Sequence, residues 1–477
     1  MNGFVFAPTA PLGLEILLGG LMLVILFMGL FRPATPNRST GWVTLIGLLA
    51  LLGVAFAAKP GASLFNGSYQ VDALAIFAKR LFLASAAISV LATLGMPSPR
   101  FATRGAEYHF ALLASLLGMM VLASSRELIL LFVSFELMSM PLYFLTGFLK
   151  KDDTAGEGAL KFFLIGSVSS AILLYGVSFL FGATGTTNMS AIAVALASGS
   201  PFVKLGLVLM LAGIGFKIAA VPFHMWVPDT YEAGSTPFVA WLSVAPKAAG
   251  FVVIFRLYLE GAGNTALLWA PLVSAMAAAT IVAGNLMAIP QRNVKRMLAY
   301  SGVAHIGYLL MGFAAISAAG TGMILFYLVA YLFGNMGAFL CVQAVGSAEH
   351  SDDFEAYRGL AQRSPVLALS FLVFLLSLGG IPFVAGFWAK LFVFKAVVDQ
   401  HMYGLALLGA MATIVALYYY LVLSSRMYID KPENPNPLPI ATPLIVAILI
   451  CAVGVVVMGA YPEPWVRAVM DAANGLF

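Results

Sequence analysis

Long apolar runs separated by short polar punctuation fill most of the chain. Windows bounded by charges, prolines and glycine clusters predict helices over 11–31, 41–58, 73–95, 107–123, 126–149, 158–181, 202–237, 238–260, 266–289, 294–316, 321–346, 365–398, 404–427 and 438–460. Most come close to the roughly 20 residues that a helix needs to cross a bilayer. They are continuous rather than alternating runs of about ten, so the pattern predicts helices and not barrel strands. The expected fold class is an all-α polytopic membrane protein with about 14 transmembrane helices and no sizeable soluble domain.

Composition agrees and narrows the chemistry. Of 477 residues, 61% are hydrophobic and 9% charged, and the mean hydropathy is +0.98. Cys341 and Cys451 both lie in apolar runs, so no Cys-x-x-Cys motif, iron–sulfur ligation or thiolate-rich zinc site is expected. The net charge of +5 comes without a long Lys/Arg run or interleaved aromatics, which argues against nucleic acid as a partner. The first apolar segment is too long, and lacks the basic flank and cleavage site, for a removable signal peptide.

Loop charge gives an orientation. Thirteen basic residues fall in the odd-numbered loops: Arg32, Arg38, Arg100, Arg104, Lys150, Lys151, Arg292, Lys295, Arg296, Arg358, Arg363, Arg426 and Lys431. Seven fall on the other side: Lys59, Lys79, Arg80, Arg126, Lys204, Arg256 and Arg467. The excess of Lys and Arg on cytoplasmic loops therefore predicts that both termini face outward.

The remaining five basic residues, Lys161, Lys217, Lys247, Lys390 and Lys395, fall within the expected spans, and all are lysines. A charge near the bilayer centre costs at least ~2.5 kcal/mol, so each is a functional candidate. Lysine can change protonation state when buried, whereas arginine effectively does not. Among the acids, Glu136 alone is expected well inside a span; Glu15 and Glu107 read as interfacial, and Asp229 and Glu232 belong to an interrupted segment. Lys161 sits near a helix start, where its stem could reach the interface. Lys390 and Lys395 compete for one role.

Segments 202–237 and 365–398 exceed one straight crossing, and each is interrupted, by Gly213, Gly215 and Pro222 in the first and by Gly379, Gly380 and Pro382 in the second. Proline removes a helical donor and clashes with the preceding turn. Backbone groups released at membrane depth must line a protein-walled or hydrated cavity. The two segments are the seventh and twelfth spans, five apart, an offset that reverses orientation. Paired broken helices in halves of opposite topology point to an inverted-repeat transporter with its sites near the midplane.

The stretch GIGFKIAAVPFHMWVPDTYEAGSTPFVAWLSVAPKAAG, residues 213–250, resembles the signature of the antiporter-like membrane subunits of respiratory complex I and the related Mrp cation/proton antiporters. So do Ser134-Phe135-Glu136-Leu137 with Pro141, the run from Lys295 to Ser301 leading to His305, and Gly380-Ile381-Pro382 with Gly386-Phe387-Trp388-Ala389-Lys390. Lys390, where one of the three bacterial types has glutamate, and the lack of room for a long C-terminal lateral helix resemble the 14-helix type nearest the quinone-reacting end.

The resemblance implies inverted five-helix repeats, helices 4–8 and 9–13, with helices 7 and 12 broken. The corresponding divisions are 1–106, 107–260, 261–430 and 431–477. It also implies a midplane axis of Glu136, Lys161, Lys217, Lys247 and Lys390, with His224, His305, Tyr300 and Lys395 as possible relays and Ser301 and Tyr308 extending a water wire. An ion pair between Glu136 and Lys217 is expected to act as a protonation switch. The implied function is proton translocation as a redox-inert part of NADH:quinone oxidoreductase, in a bacterial inner membrane, with no cofactor or metal in this chain. Flavin, iron–sulfur clusters and quinone are then expected in partner subunits, and the neighbours are an antiporter-like subunit of M type and small subunits of K and J type. The competing readings are an Mrp-type Na⁺/H⁺ antiporter subunit and a non-transporting anchor.

Overall fold

A computed structural model describes residues 11–31, 38–96, 98–149, 153–196 and 201–476. Arg32, Lys150 and Lys151, which enter the orientation argument, lie outside these residues. The fold is an almost entirely helical bundle containing 13 helices long and apolar enough to cross a membrane. These are α1 (Gly13–Phe31), α2 (Ser39–Ala57), α3 (Ala73–Thr93), α4 (Pro99–Ser124), α5 (Leu128–Thr146), α6 (Asp153–Thr184), α8 (Pro201–Ile218), the run Thr236–Gly261, α12 (Ala266–Ala288), α13 (Val294–Ala314), α14 (Ala318–Glu349), α18 (Tyr403–Tyr428) and α19 (Thr442–Ala460).

The count differs from 14 because the twelfth expected span is two helices, α16 (Pro365–Gly379) and α17 (Ala385–Asp399), of 15 residues each. Each half is too short to cross alone. The seventh span is likewise divided into α8 and α9 (Val227–Ala233), but Thr236 and Pro237 open the next helix, α10 (Thr236–Leu242), rather than closing this one. A proline is accommodated in a first helical turn, where its missing donor is not needed. The eighth span then continues as α11 (Ala245–Ile254) and a π-helical turn, Phe255–Gly261.

Elements outside the apolar windows are a short hairpin of Ala62–Leu64 and Tyr69–Val71, the helix α7 (Met189–Ala195), the short α15 (Leu360–Arg363) and the amphipathic α20 (Glu463–Ala473). Helix starts follow local capping chemistry. Asp72, Glu127, Asn293 and Ser317 each accept a hydrogen bond from a backbone N–H three residues ahead, at the starts of α3, α5, α13 and α14.

Packing places the polar chemistry. The run Thr236–Gly261, α13 and α14 are almost wholly buried, while α1, α2, α12, α18 and α19 turn apolar faces such as Leu30, Ile46, Leu267, Ile414 and Val453 outward. The same scheme occurs twice, with α4 on α5 and α6 on α8 in the first half, and α12 on α13 and α14 on α16 and α17 in the second.

Two expectations about charge are corrected. Lys79, assigned to a loop, lies inside α3 and pairs with Glu15 of α1 at 2.8 Å. Both are buried, so Glu15, in the first turn of α1, is paired inside the protein. Arg256, also assigned to a loop, is fully buried in the π-helical turn, so the buried basic residues are not all lysines. It makes a two-pronged contact with Asp72 at 2.6 and 2.7 Å and reaches Glu260 at 2.5 Å, while Arg126 bridges the same two carboxylates at 2.8 Å each. Such pairing offsets the cost of burying a guanidinium, which an unpaired cation would bear in full.

Candidate functional site

The break between α8 and α9 keeps its released backbone groups satisfied by side chains. Val221 N–H donates to Thr280 Oγ1 at 3.0 Å, Trp226 Nε1 donates to Phe216 O at 3.0 Å, and Ser169 Oγ donates to Gly213 O at 2.8 Å. Lys217, the penultimate residue of α8, is held beside this break. Its ammonium lies over the rings of Phe135, Tyr143 and Phe162 at 5.5, 5.7 and 5.7 Å, and it has no hydrogen-bond partner among the described residues. An aromatic cage of this kind stabilises a cation through the ring faces without fixing it by a hydrogen bond.

The expected Glu136–Lys217 ion pair is not formed. Glu136 instead accepts a hydrogen bond from Ser170 Oγ at 2.5 Å, and no oxygen of Glu136 comes within 4.0 Å of the Lys217 ammonium. The two remain within electrostatic reach.

Lys247 on α11 is buried, lies over the Tyr231 ring at 5.6 Å, and also lacks a hydrogen-bond partner among the described residues. Its Nζ passes beside Gly302 of α13; a Cβ there would stand 3.1 Å from Nζ and 2.9 Å from the Tyr331 hydroxyl. The absent side chain thus brings Lys247 and Tyr331 together over α13. Tyr331 packs against His305 with ring centroids 5.1 Å apart. His305 lies about 16 Å along α13, roughly its midpoint, at 1.5 Å per residue. Its Nδ1 bonds the Tyr327 hydroxyl at 2.7 Å, and its Nε2 approaches the Tyr420 hydroxyl at 3.4 Å. Tyr420 also bonds Ser301.

Lys390 on α17 closes the file at the second break. Its Nζ donates to Gly379 O at 3.1 Å and lies 4.9 Å from the centre of the Tyr308 ring, whose hydroxyl accepts from Thr413 at 3.2 Å. His305 lies within electrostatic reach of both Lys247 and Lys390. Two groups of buried polar residues thus lie in the bundle, Lys217 with Ser170 and the half-buried Glu136 at the first break, and Lys247, Tyr331, His305 and Lys390 toward the second. Buried lysines and a histidine linked by hydroxyls can take up, hold and release protons.

Four other sequence candidates stand apart from these groups. Lys161 is 44% exposed and pairs with Glu157 at 2.7 Å and Asp229 at 2.9 Å, where Arg296 joins at 2.9 Å. Lys395 is 71% exposed and pairs with Asp399 at 2.6 Å, so Lys390 is the buried one of the two. Tyr300 is partly buried in the apolar core and joins none of the hydrogen bonds around Ser301 and His305. His224 sits in the first break, buried, with Nδ1 unpartnered among the described residues. Sequence reasoning missed the tyrosines 327, 331, 419 and 420. Their only signal is an i, i+4 spacing in Tyr327 and Tyr331 and the run Tyr418-Tyr419-Tyr420 within apolar helices.

A family model described as "NADH:quinone oxidoreductase/Mrp antiporter, TM" matches residues 125–416. The chain is 40% identical over 469 residues to NADH-quinone oxidoreductase subunit N of Moorella thermoacetica, covering 98% of each chain. It is also 40% identical over 475 residues to the subunit of that name in Heliobacterium modesticaldum, again covering 98% of each. Among solved structures, a chain of respiratory complex I from Thermus thermophilus with bound aureothin aligns with a TM-score of 0.82 and 32% identity, covering 96% of this chain and 99% of that one. A chain of the Mrp complex from Dietzia shares the fold, with a TM-score of 0.87 at 21% identity.

Proposed function

The chain belongs to the NADH:quinone oxidoreductase/Mrp antiporter family of multi-pass membrane proteins, and from that premise we propose that it moves protons across the membrane as a redox-inert subunit of an NADH:quinone oxidoreductase. The observation that carries this reading is the buried array of Lys217, Lys247, His305 and Lys390. Charge held at that depth costs at least ~2.5 kcal/mol, and two of these ammoniums lack a hydrogen-bond partner among the described residues that would offset it. In this reading, movement of the Glu136 carboxylate relative to the caged Lys217 shifts the balance between protonated and neutral amine. The file through Lys247 and His305 then passes the proton to Lys390. Driving one charge against 100 mV takes ~2.3 kcal/mol, which partner subunits supply from quinone reduction.

The same reading places flavin, iron–sulfur clusters and quinone in partner subunits, with an antiporter-like subunit of M type and small K- and J-type subunits as neighbours in a bacterial inner membrane, and both termini outside. It treats residues 107–260 and 261–430 as the two inverted repeats, flanked by 1–106 and 431–477. An Mrp-type cation antiporter is the second reading, favoured by the shared fold alone. Hard cations want several oxygen ligands. Here the one midplane carboxylate is hydrogen-bonded to Ser170, and the described residues hold no group of three or more His, Cys, Asp or Glu fit for an ion.

Reconstitution tests it. Vesicles bearing the assembled complex should lose NADH-driven proton uptake when Lys217 or Glu136 is replaced by alanine. Unchanged uptake in both assembled variants would leave only an anchoring role, and collapse of a pH gradient by added Na⁺ without NADH would indicate the antiporter.

A further inference from the structure

Where the end of α1, the start of α4 and the end of α5 meet, a cavity of about 470 Å³ opens on the lateral surface of the bundle. Leu26 and Leu30 of α1, Phe110 and Ala114 of α4, and Pro141 and Phe144 of α5 line it. Leu30 and Phe144 mark its open edge, being 67% and 50% exposed, while Ala114 is buried. The hollow has a local origin. Gly29 lets α1 come so close to α4 that a Cβ there would stand 2.7 Å from Ala106 Cβ, and both residues line the cavity. At Arg104, α4 departs from helical geometry, with φ −121° and ψ 25°.

Depth and width decide what fits. From Arg104 to Ala114 the cavity follows α4 for about 15 Å at 1.5 Å per residue. That is one leaflet of a hydrocarbon core about 30 Å thick. Spread over this length, the volume gives a cross-section of about 30 Å². A helix with its side chains is about 10–12 Å across, roughly 80–110 Å², and does not enter. A single extended hydrocarbon chain does, with its carbons at about 3.5–4.0 Å from the apolar walls.

The mouth adds charge of both signs. Arg104 and Glu107 line the end nearest the start of α4, 56% and 51% exposed, with Arg104 Nη1 3.3 Å from each carboxylate oxygen. A well-made charge-assisted bond is shorter, about 2.7–2.9 Å, so both groups keep capacity for another partner. A guanidinium suits a phosphate, and a carboxylate accepts from an N–H cation.

We propose that this cavity is a phospholipid site that takes one acyl chain of phosphatidylethanolamine, with the phosphate on Arg104 and the ammonium on Glu107. Phosphatidylglycerol brings the phosphate without a cation for Glu107, and phosphatidylcholine brings a cation with no N–H to donate. No residue of this site belongs to the two buried groups above, so the inference does not depend on the transport reading.

Photolabelling of the assembled complex tests it. The complex, in phosphatidylcholine vesicles, receives a trace of phosphatidylethanolamine with a diazirine near the end of one chain, and labelled peptides are identified by mass spectrometry. Labelling of residues 26–30 and 110–114 should exceed at least threefold that of Leu267 and Ile414, which face outward on α12 and α18. Equal labelling at all of these positions means annular lipid only, and no labelling at the cavity means that a partner chain covers it; either overturns the site. Phosphatidylglycerol and phosphatidylcholine probes with the same tail should label the cavity at least threefold less, and equal labelling by either overturns the headgroup assignment. Leu30→Trp fills the cavity from its exposed edge and should abolish the enrichment, whereas enrichment that survives overturns the site. Glu107→Gln should reduce the phosphatidylethanolamine signal to that of phosphatidylcholine with α12 and α18 labelled as before, and a preference that survives overturns the role of Glu107. Should Leu30→Trp fail to assemble, Phe144→Trp on the opposite edge takes its place with the same two outcomes.

Discussion

The ammonium of Lys390 donates to the carbonyl oxygen of Gly379 at 3.1 Å, across the gap between the two halves of the broken helix. One side chain thus satisfies a backbone acceptor that the break set free and also sits buried beside the His305 cluster. Lys390→Met leaves that buried carbonyl unpaired, at a cost of about 1–3 kcal/mol. Lys390→Arg keeps a donor and a charge but does not release its proton. We expect both variants to lose NADH-driven proton uptake, and only the methionine to show clearly reduced thermal stability in detergent. Retained uptake in the arginine variant would show that Lys390 need not titrate.

Gly380 makes room for that contact. It adopts φ +85°, a left-handed conformation that costs a non-glycine residue roughly 1–2 kcal/mol, and a Cβ there would lie 2.9 Å from Lys390 Cδ. Gly380→Ala should therefore combine a loss of about 1–2 kcal/mol with displacement of the Lys390 stem, lowering proton uptake with the lysine itself intact. Thermal unfolding and pumping measured on the same preparation check this, and a variant with normal uptake would show that the lysine stem tolerates the shift.

The hydroxyl of Ser170 fixes Glu136 away from Lys217. Ser170→Ala frees the carboxylate to swing toward the caged ammonium, and a closer ion pair holds the lysine proton more firmly. Proton uptake in Ser170→Ala should fall at unchanged assembly, less than in Glu136→Gln. Equal loss in the two variants would mean that the serine acts on folding instead.

Much of this was legible in the chain because insertion into a bilayer leaves few options. Continuous apolar windows gave the crossing helices, and the Gly and Pro interruptions located both breaks, since proline and αL glycine act locally. Lys217, Lys247 and Lys390 stood out as charges in apolar surroundings. What escaped depends on contacts between distant segments. Lys79 is 64 positions from Glu15, and Arg256 is 184 from Asp72, so nothing near either cation marks it as paired. Glu136 and Lys217 have opposite charges, yet the carboxylate is bonded to Ser170 and the ammonium is caged by Phe135, Tyr143 and Phe162. Lys161 read as intramembrane because its window is apolar, but α6 begins earlier, at Asp153, and its first turns carry the residue toward Asp229 and Arg296.

Arg256 gives the last prediction, one about stability rather than transport. Its guanidinium is fully buried and holds Asp72 by two bonds and Glu260 by one, tying the start of α3 to the end of the eighth span. Removing one partner of a buried charge network costs about 3–5 kcal/mol, because the other charges stay behind. Arg256→Met should therefore destabilise far more than Arg467→Met, whose guanidinium is 76% exposed and where pairing contributes little. Asp72 lies just outside α3 and adds a pH signature. Burial disfavours its charge, but Arg256, the Ala75 N–H and Arg126 outweigh this and hold the carboxyl at about 2, below its ordinary 3.8. A depressed carboxyl stabilises the fold fully above its unfolded value, and that contribution is lost as pH falls through the folded one. Hydrogen exchange at the start of α3 should stay slow from neutral pH down to about 4 and accelerate between about 4 and 2. In Asp72→Asn this acid-induced step should vanish; a step at pH 5–7 in the unaltered chain would assign the transition to some other group.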